Sequence, residues 1–147
     1  MSTVKLKLAL VILLAGSIIF SCKKDKSSGE ECKISTTSLS GTYKLSSLKY
    51  KVNKSVAEQD FLASMDDCEK DDLIILNSNG TYDHLDVGTT CLPLNNDNGS
   101  WAVNGHTLTS DGDFNGTITS FDCKTIVYYI ENIFTPGDRL VFTMVKQ

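Results

Sequence analysis

The sequence predicts an all-β domain: a small eight-stranded antiparallel up-and-down barrel with one short helix between its first two strands. Three observations carry this. Short runs rich in β-branched and aromatic residues alternate with Gly, Asn, Asp and Ser turns at roughly even spacing. The links at Ser78-Asn79-Gly80, Asn104-Gly105 and Asp122-Cys123-Lys124 are too short for the crossovers of a sandwich. Sequential antiparallel strands also leave two exposed edges unless the sheet closes on itself.

Ahead of the barrel, residues 1–21 have the three parts of a secretory signal. Lys5 and Lys7 form the basic start. Residues 8–20 (LALVILLAGSIIF) are uncharged and fall short of the about 20 apolar residues that span a bilayer. The run Ile19-Phe20-Ser21-Cys22 resembles a lipobox: an aliphatic residue at −3, a small one at −1, and a cysteine whose thiol takes a diacylglycerol before cleavage. Cleavage before Cys22 and lipidation of Cys22, with palmitate among the acyl chains, are therefore expected. Two or three acyl chains at about 0.8 kcal/mol per buried methylene hold a protein on a membrane. Residues 23–29 (KKDKSSG) are hydrophilic, so 22–38 is assigned to a flexible tether and 39–147 to the barrel. Lys23 gives no inner-membrane retention signal, so the outer membrane is expected, with periplasmic or surface display.

Cleavage leaves 126 residues, enough for one domain. It removes two lysines and no acids, taking the net charge from −4 to −6. A mildly acidic domain without a Lys/Arg cluster is a poor nucleic-acid binder. Of five cysteines, Cys22 is assigned to lipid, and the remaining four (Cys32, Cys68, Cys91, Cys123) are an even set suited to disulfides in an exported chain.

The expected strands follow in order. Residues 41–52 place Tyr43 and Leu45 on one parity and Leu48, Tyr50 and Val52 on the other, so a bulge is expected at Ser46-Ser47. Residues 55–58 (SVAE) read as a capping box, and Ala57, Phe61 and Met65 recur every fourth residue, so 56–65 is expected to be a helix packed on the barrel end. Residues 72–77 and 81–87 flank the Asn79-Gly80 turn; 100–103 and 106–110 flank Asn104-Gly105. Strands at 117–121, 125–131 and 139–146 complete the set, the last carrying Leu140, Phe142 and Met144 on one face.

Taken together, Gly41-Thr42-Tyr43-Lys44-Leu45, Cys68 with Asp71-Asp72, Asn77-Ser78-Asn79-Gly80-Thr81-Tyr82, Cys91, Gly99-Ser100-Trp101-Ala102-Val103 and Leu108-Thr109 resemble the lipocalin-like domain of Bacteroidota lipoproteins, over about Leu39 to the C-terminus. The resemblance implies an eight-stranded barrel without catalysis. Lipocalins proper carry Gly-x-Trp on the first strand; here Tyr43 stands at the third position.

Little in the chain suggests catalysis. His84 and Asp86, at i and i+2, have the spacing of a base and its orienting carboxylate, but no G-x-S-x-G accompanies them, and a surface strand pair is expected. His106 is expected to be a solvated turn residue. Asp66, Asp67, Glu69, Asp71 and Asp72 have the charge to gather a cation but read as a solvated loop at a strand start. Asp111, Asp113 and Asn115, followed by Gly116 and ending at Asp122, match half a calcium loop; Asx-turn chemistry explains them equally, and no tight metal site is expected. No cofactor is expected. The leading function is a non-enzymatic binding module near the membrane, taking a small apolar or amphipathic molecule or a protein partner. The rival is a structural or inhibitory envelope protein whose barrel is filled by Tyr43, Tyr50, Tyr82, Trp101, Tyr128, Tyr129 and Phe142.

Four cysteines allow three pairings, and the sequence alone does not choose. A barrel does. Following the strands up and down places Cys32 and Cys123 at the tethered end and Cys68 and Cys91 at the opposite mouth. A six-residue strand is about 20 Å long, and a disulfide needs Cα atoms within about 7 Å. Cys68–Cys91 and Cys32–Cys123 are therefore expected. The mouth, with 56–65 and the loop at 111–116, is expected to face away from the membrane.

Overall fold

The computed structural model describes residues 32–147 except 54 and 113; residues 1–21, where a signal is expected, Cys22 and Asp113 lie outside the described residues. The strands are β1 (Gly41–Lys51), β2 (Gln59–Asp60), β3 (Leu73–Leu76), β4 (Thr81–Leu85), β5 (Asp97–Asn104), β6 (Thr107–Ser110), β7 (Phe114–Phe121), β8 (Thr125–Glu131) and β9 (Arg139–Lys146). From β3 to β9 each strand pairs antiparallel with the next, and β1 pairs with both β3 and β9, closing an eight-stranded barrel. The two-residue β2 lies outside the barrel wall, on the end of β1. The expected bulge is present: the β1–β9 register shifts between Leu45 and Ser47. A second shift, between Ile118 and Ser120, bends β7. Asn79-Gly80 turns β3 into β4, with Gly80 at φ +86°, a region where only glycine is free of strain. Strands β5 and β7 each begin three residues earlier than expected, at Asp97 and Phe114.

The helix expected over 56–65 does not form. Its place is taken by β2 and a 3-10 turn at Leu62–Ser64, and a short helix, α2 (Asp67–Lys70), follows it. The competing force is tertiary. Phe61 packs in an aromatic trio with Tyr50 and Phe134, at ring-centroid distances of 6.2 and 6.1 Å. Its amide donates to the Leu48 carbonyl at 2.9 Å, which draws the segment onto β1. Asp60 then accepts from the Ala63 amide at 3.1 Å and starts the 3-10 turn.

One end of the barrel is plugged. Residues 36–39 form a helical turn, α1 (Thr36–Leu39), begun by Ser35 and Ser38, which accept from each other's amides. α1 inserts Leu39, fully buried, beneath Tyr43, Trp101, Phe121 and Ile126. The Tyr43 hydroxyl donates to the Leu39 carbonyl at 2.7 Å, and Trp101 Nε1 to the Asn77 carbonyl at 2.9 Å. Disulfides staple both ends as expected: Cys32–Cys123 at the plug (Cα–Cα 5.3 Å) and Cys68–Cys91 at the opposite rim (Cα–Cα 5.2 Å).

The rim loop between β8 and β9 is built on one carboxylate. Asp138, fully buried, accepts from the amides of Ile133, Phe134 and Thr135 at 2.8, 2.9 and 2.7 Å and from the Tyr50 hydroxyl at 3.0 Å. Burial alone would push this carboxyl up; the hydrogen bonds outweigh it and hold the group below the ordinary carboxylate range. A carboxyl depressed in the folded state adds stability above its unfolded value, about 4, and that stability drains away as pH falls through the folded value. Asp138→Asn is therefore expected to lower Tm at neutral pH and to flatten its fall between pH 5 and 2. Calorimetry across that range checks it, and an acid limb as steep as the wild type's would refute it.

Candidate functional site

Strand alternation puts Ile74, Leu76, Tyr82, His84, Trp101, Leu108, Ile126, Tyr128 and Met144 on the inside of the barrel. At the plugged end these positions are filled. Toward the mouth they are not, and a cavity of about 280 Å³ opens above Trp101. A second, of about 180 Å³, adjoins it and is walled by Leu45, Met65, Glu69, Asp72 and Phe142. The two share Ile74, His84, Tyr128 and Met144. Stacked Tyr128 and Phe142 rings, 4.8 Å apart and nearly parallel, stand on one side. Burial pushes the Tyr128 hydroxyl well above its ordinary value, so it stays neutral. Eight strands place the barrel where it is just filled or holds one small ligand, and in this chain the mouth half has been left unfilled.

The polar edge of the cavity is specific. β4 points Tyr82 and His84 inward, and β5 carries Asp97 opposite His84. The Tyr82 hydroxyl donates to Asp111 at 2.8 Å and to Asp97 at 3.3 Å. Asp111 reaches in because position 99 is glycine: a Cβ there would stand 2.2 Å from its Oδ1. That oxygen accepts from the Ser100 amide at 2.7 Å. The Ser100 amide, then the Tyr82 hydroxyl, hold the Asp111 carboxyl below its usual range, and the same bond pushes Tyr82 up to about 12.

Asp72, just before β3, is the buried charge of the site. Its side chain is 5% exposed, and Oδ2 lies 3.1 Å from His84 Nε2. The pairing is close but poorly aligned: among the described residues neither carboxylate oxygen has a well-formed hydrogen bond. Burial pushes the Asp72 carboxyl up, and the His84 ring and the Val87 amide pull it only part of the way back. A carboxyl raised on folding costs stability above its unfolded value. Asp72→Asn is therefore expected to raise Tm at neutral pH and to leave it unchanged at pH 3, where both forms are uncharged. A Tm lower than wild type at neutral pH would contradict this.

His84 and Asp86 do not pair, so the expected surface couple is wrong. β4 ends at Leu85, and Asp86 turns away to hold the next loop, accepting from the Cys91 and Asn95 amides at 3.0 and 3.1 Å. His84 keeps the inward parity of Tyr82. The acidic run is dispersed: Glu69 accepts from the Asp66 amide, Asp67 pairs with Lys70 at 2.9 Å, and Asp71 accepts from the Thr89 amide. The solvated-loop expectation fits Asp67 and fails for Asp72. Asp111 and Asp122 sit at opposite ends of β7; Asp122 accepts from the Lys124 and Thr125 amides, and Asn115 from Thr109. His106 is exposed as expected, though its Nδ1 lies 3.0 Å from the Ile118 carbonyl. Asp72, His84 and Asp97 were missed as a set. The available signal was the parity of His84 with Tyr82 on a strand whose inner face lines a barrel.

No curated protein and no solved structure matches the chain. The family described as lipocalin-like domain matches residues 39–142, from the plug's Leu39 to Phe142 in the cavity wall. With a match of that extent over a closed barrel plugged at one end and hollow at the other, the chain belongs to the lipocalin-like domain family.

Proposed function

We propose that this is a membrane-tethered, non-enzymatic binding protein that holds one small, largely apolar molecule in the mouth half of its barrel. The observation that carries the reading is the cavity of about 280 Å³ above Trp101, close to the lower end of small-molecule sites at about 300 Å³. The lipobox-like Ile19-Phe20-Ser21-Cys22 supports the tether, with the outer membrane as destination. Entry of the chain at the plugged end, beside Cys32–Cys123, supports a mouth turned away from the membrane.

Trp101 is the chain's single tryptophan and lines the cavity, so its fluorescence reports occupancy. Titration with 1-naphthol is expected to quench it saturably, and Leu108→Phe, which fills the cavity, to abolish the effect. Non-saturable quenching, identical in the variant, would favour a barrel that takes no ligand. The anchor is tested separately: labelled palmitate is expected in the wild type and absent from Cys22→Ala.

A second reading, a mouth that meets a protein partner, is favoured by Leu92 and Leu94, which are 94% and 58% exposed in the rim loop stapled by Cys91. Retention of a co-purifying protein by the wild type, and its loss in a Leu92→Ser, Leu94→Ser variant, would support it.

A further inference from the structure

We propose that the molecule held in the barrel carries a protonated amine, and that Asp72 is the group that receives it. The inference rests on the binding reading above and deepens it. Its first support is the charge of the walls. Among the described residues lining the two cavities there are three acids, Glu69, Asp72 and Asp97, and no Lys or Arg. A fatty acid or other anion would meet these carboxylates as like charges, and the basic ring beside them, His84, already faces Asp72 at 3.1 Å.

The second support is independent of the first. Asp72 is more than nine-tenths buried, lines the cavity, and has both carboxylate oxygens without a well-formed hydrogen bond. A buried carboxyl in that state is a standing cost to the fold, and a donor arriving from outside would relieve it. His84 Nε2 faces Oδ2 and the Val87 amide also approaches the carboxylate, yet neither oxygen gains a well-formed hydrogen bond. An ammonium brings three donors and one positive charge, enough to satisfy Oδ1 and share Oδ2 with the ring.

The third support is the surroundings. Tyr128 lines both cavities, Tyr82 and Trp101 line the adjoining one, and aromatic rings attract a desolvated cation. The apolar remainder of the wall, with Ile74, Leu108 and Met144, takes the uncharged part of the ligand. The space suits a compact amine with a single ring or a short chain.

Calorimetry on the full chain in detergent, with micelle blanks subtracted, tests this with three compounds of one shape: 2-phenylethylamine, 2-phenylethanol and phenylacetate. The amine is expected to bind about tenfold or more tightly than the alcohol, as a charge-assisted hydrogen bond at a buried site provides, and phenylacetate not at all. Asp72→Asn, checked for folding by circular dichroism, is expected to bring amine and alcohol within about twofold of each other. Equal binding of amine and alcohol by the wild type, or an amine preference that survives Asp72→Asn, overturns the inference and leaves the binding reading standing. No binding of any of the three, together with no naphthol response at Trp101, overturns both.

Discussion

Tyr43→Ala is expected to cost about 3–5 kcal/mol, a loss at the top of the range for a single core substitution. The ring is fully buried, and its position on β1 pairs with Ile74 on β3 and Lys146 on β9 together, so it sits where the barrel closes. Truncation would leave a void under α1 and release the Leu39 carbonyl that the hydroxyl holds at 2.7 Å. Tyr43→Phe keeps the ring and removes only that bond, for about 1 kcal/mol. Urea denaturation of the two variants separates packing from hydrogen bonding. A Tyr43→Ala loss no greater than that of Tyr43→Phe would mean that the plug contributes little to the fold.

The second large effect is expected from the staple at the same end. Cys32 and Cys123 are 91 residues apart and Cys68 and Cys91 are 23 apart. Loop closure then favours the first: removing it by paired serine substitution should cost about 4–5 kcal/mol, and removing the second about 3 kcal/mol. The functional order is reversed. The shorter loop holds α2 and the rim beside Glu69 and Asp72, so its loss should weaken ligand binding, whereas loss of the longer one should leave binding intact below the melting transition. Unfolding and fluorescence titration of both serine pairs check the two orders together. If the plug-end pair cost less than the rim pair, residues 32–39 would be held by packing rather than by the disulfide.

Much of this architecture is legible in the residues because it is written locally. Asn79-Gly80 and Asn104-Gly105 mark their hairpins, Ser46-Ser47 marks the bulge, and up-and-down order is enough to select both disulfides. The failures share a cause, which is contact at a distance. Ala57, Phe61 and Met65 have helical spacing, but Phe61 is claimed by Tyr50 and Phe134, and Met65 by the cavity wall. Residues 32–38 lack apolar periodicity and read as tether, yet Cys32 and α1 lie against the barrel. The acid that matters most hides in a run of acids: nothing in 66–72 marks Asp72 until the β3–β4 hairpin carries His84 beside it.

The pairing of β1 with β9 has a consequence in time. Each hairpin from β3 to β8 joins near neighbours and is able to form as soon as its own residues are present, but the wall is complete only when the last strand reaches the first long one. Such non-local closure is slow, because the entropy of a long loop is lost before any of its contacts are gained. Until then β1 offers a bare edge along 43–51, the side that β9 covers, and that edge is a template for strands of other chains. The interval between emergence of β1 and arrival of β9 is therefore the period in which the protein is most exposed to aggregation, and slowing delivery of residues 139–146 should raise aggregation without changing the stability of the finished fold.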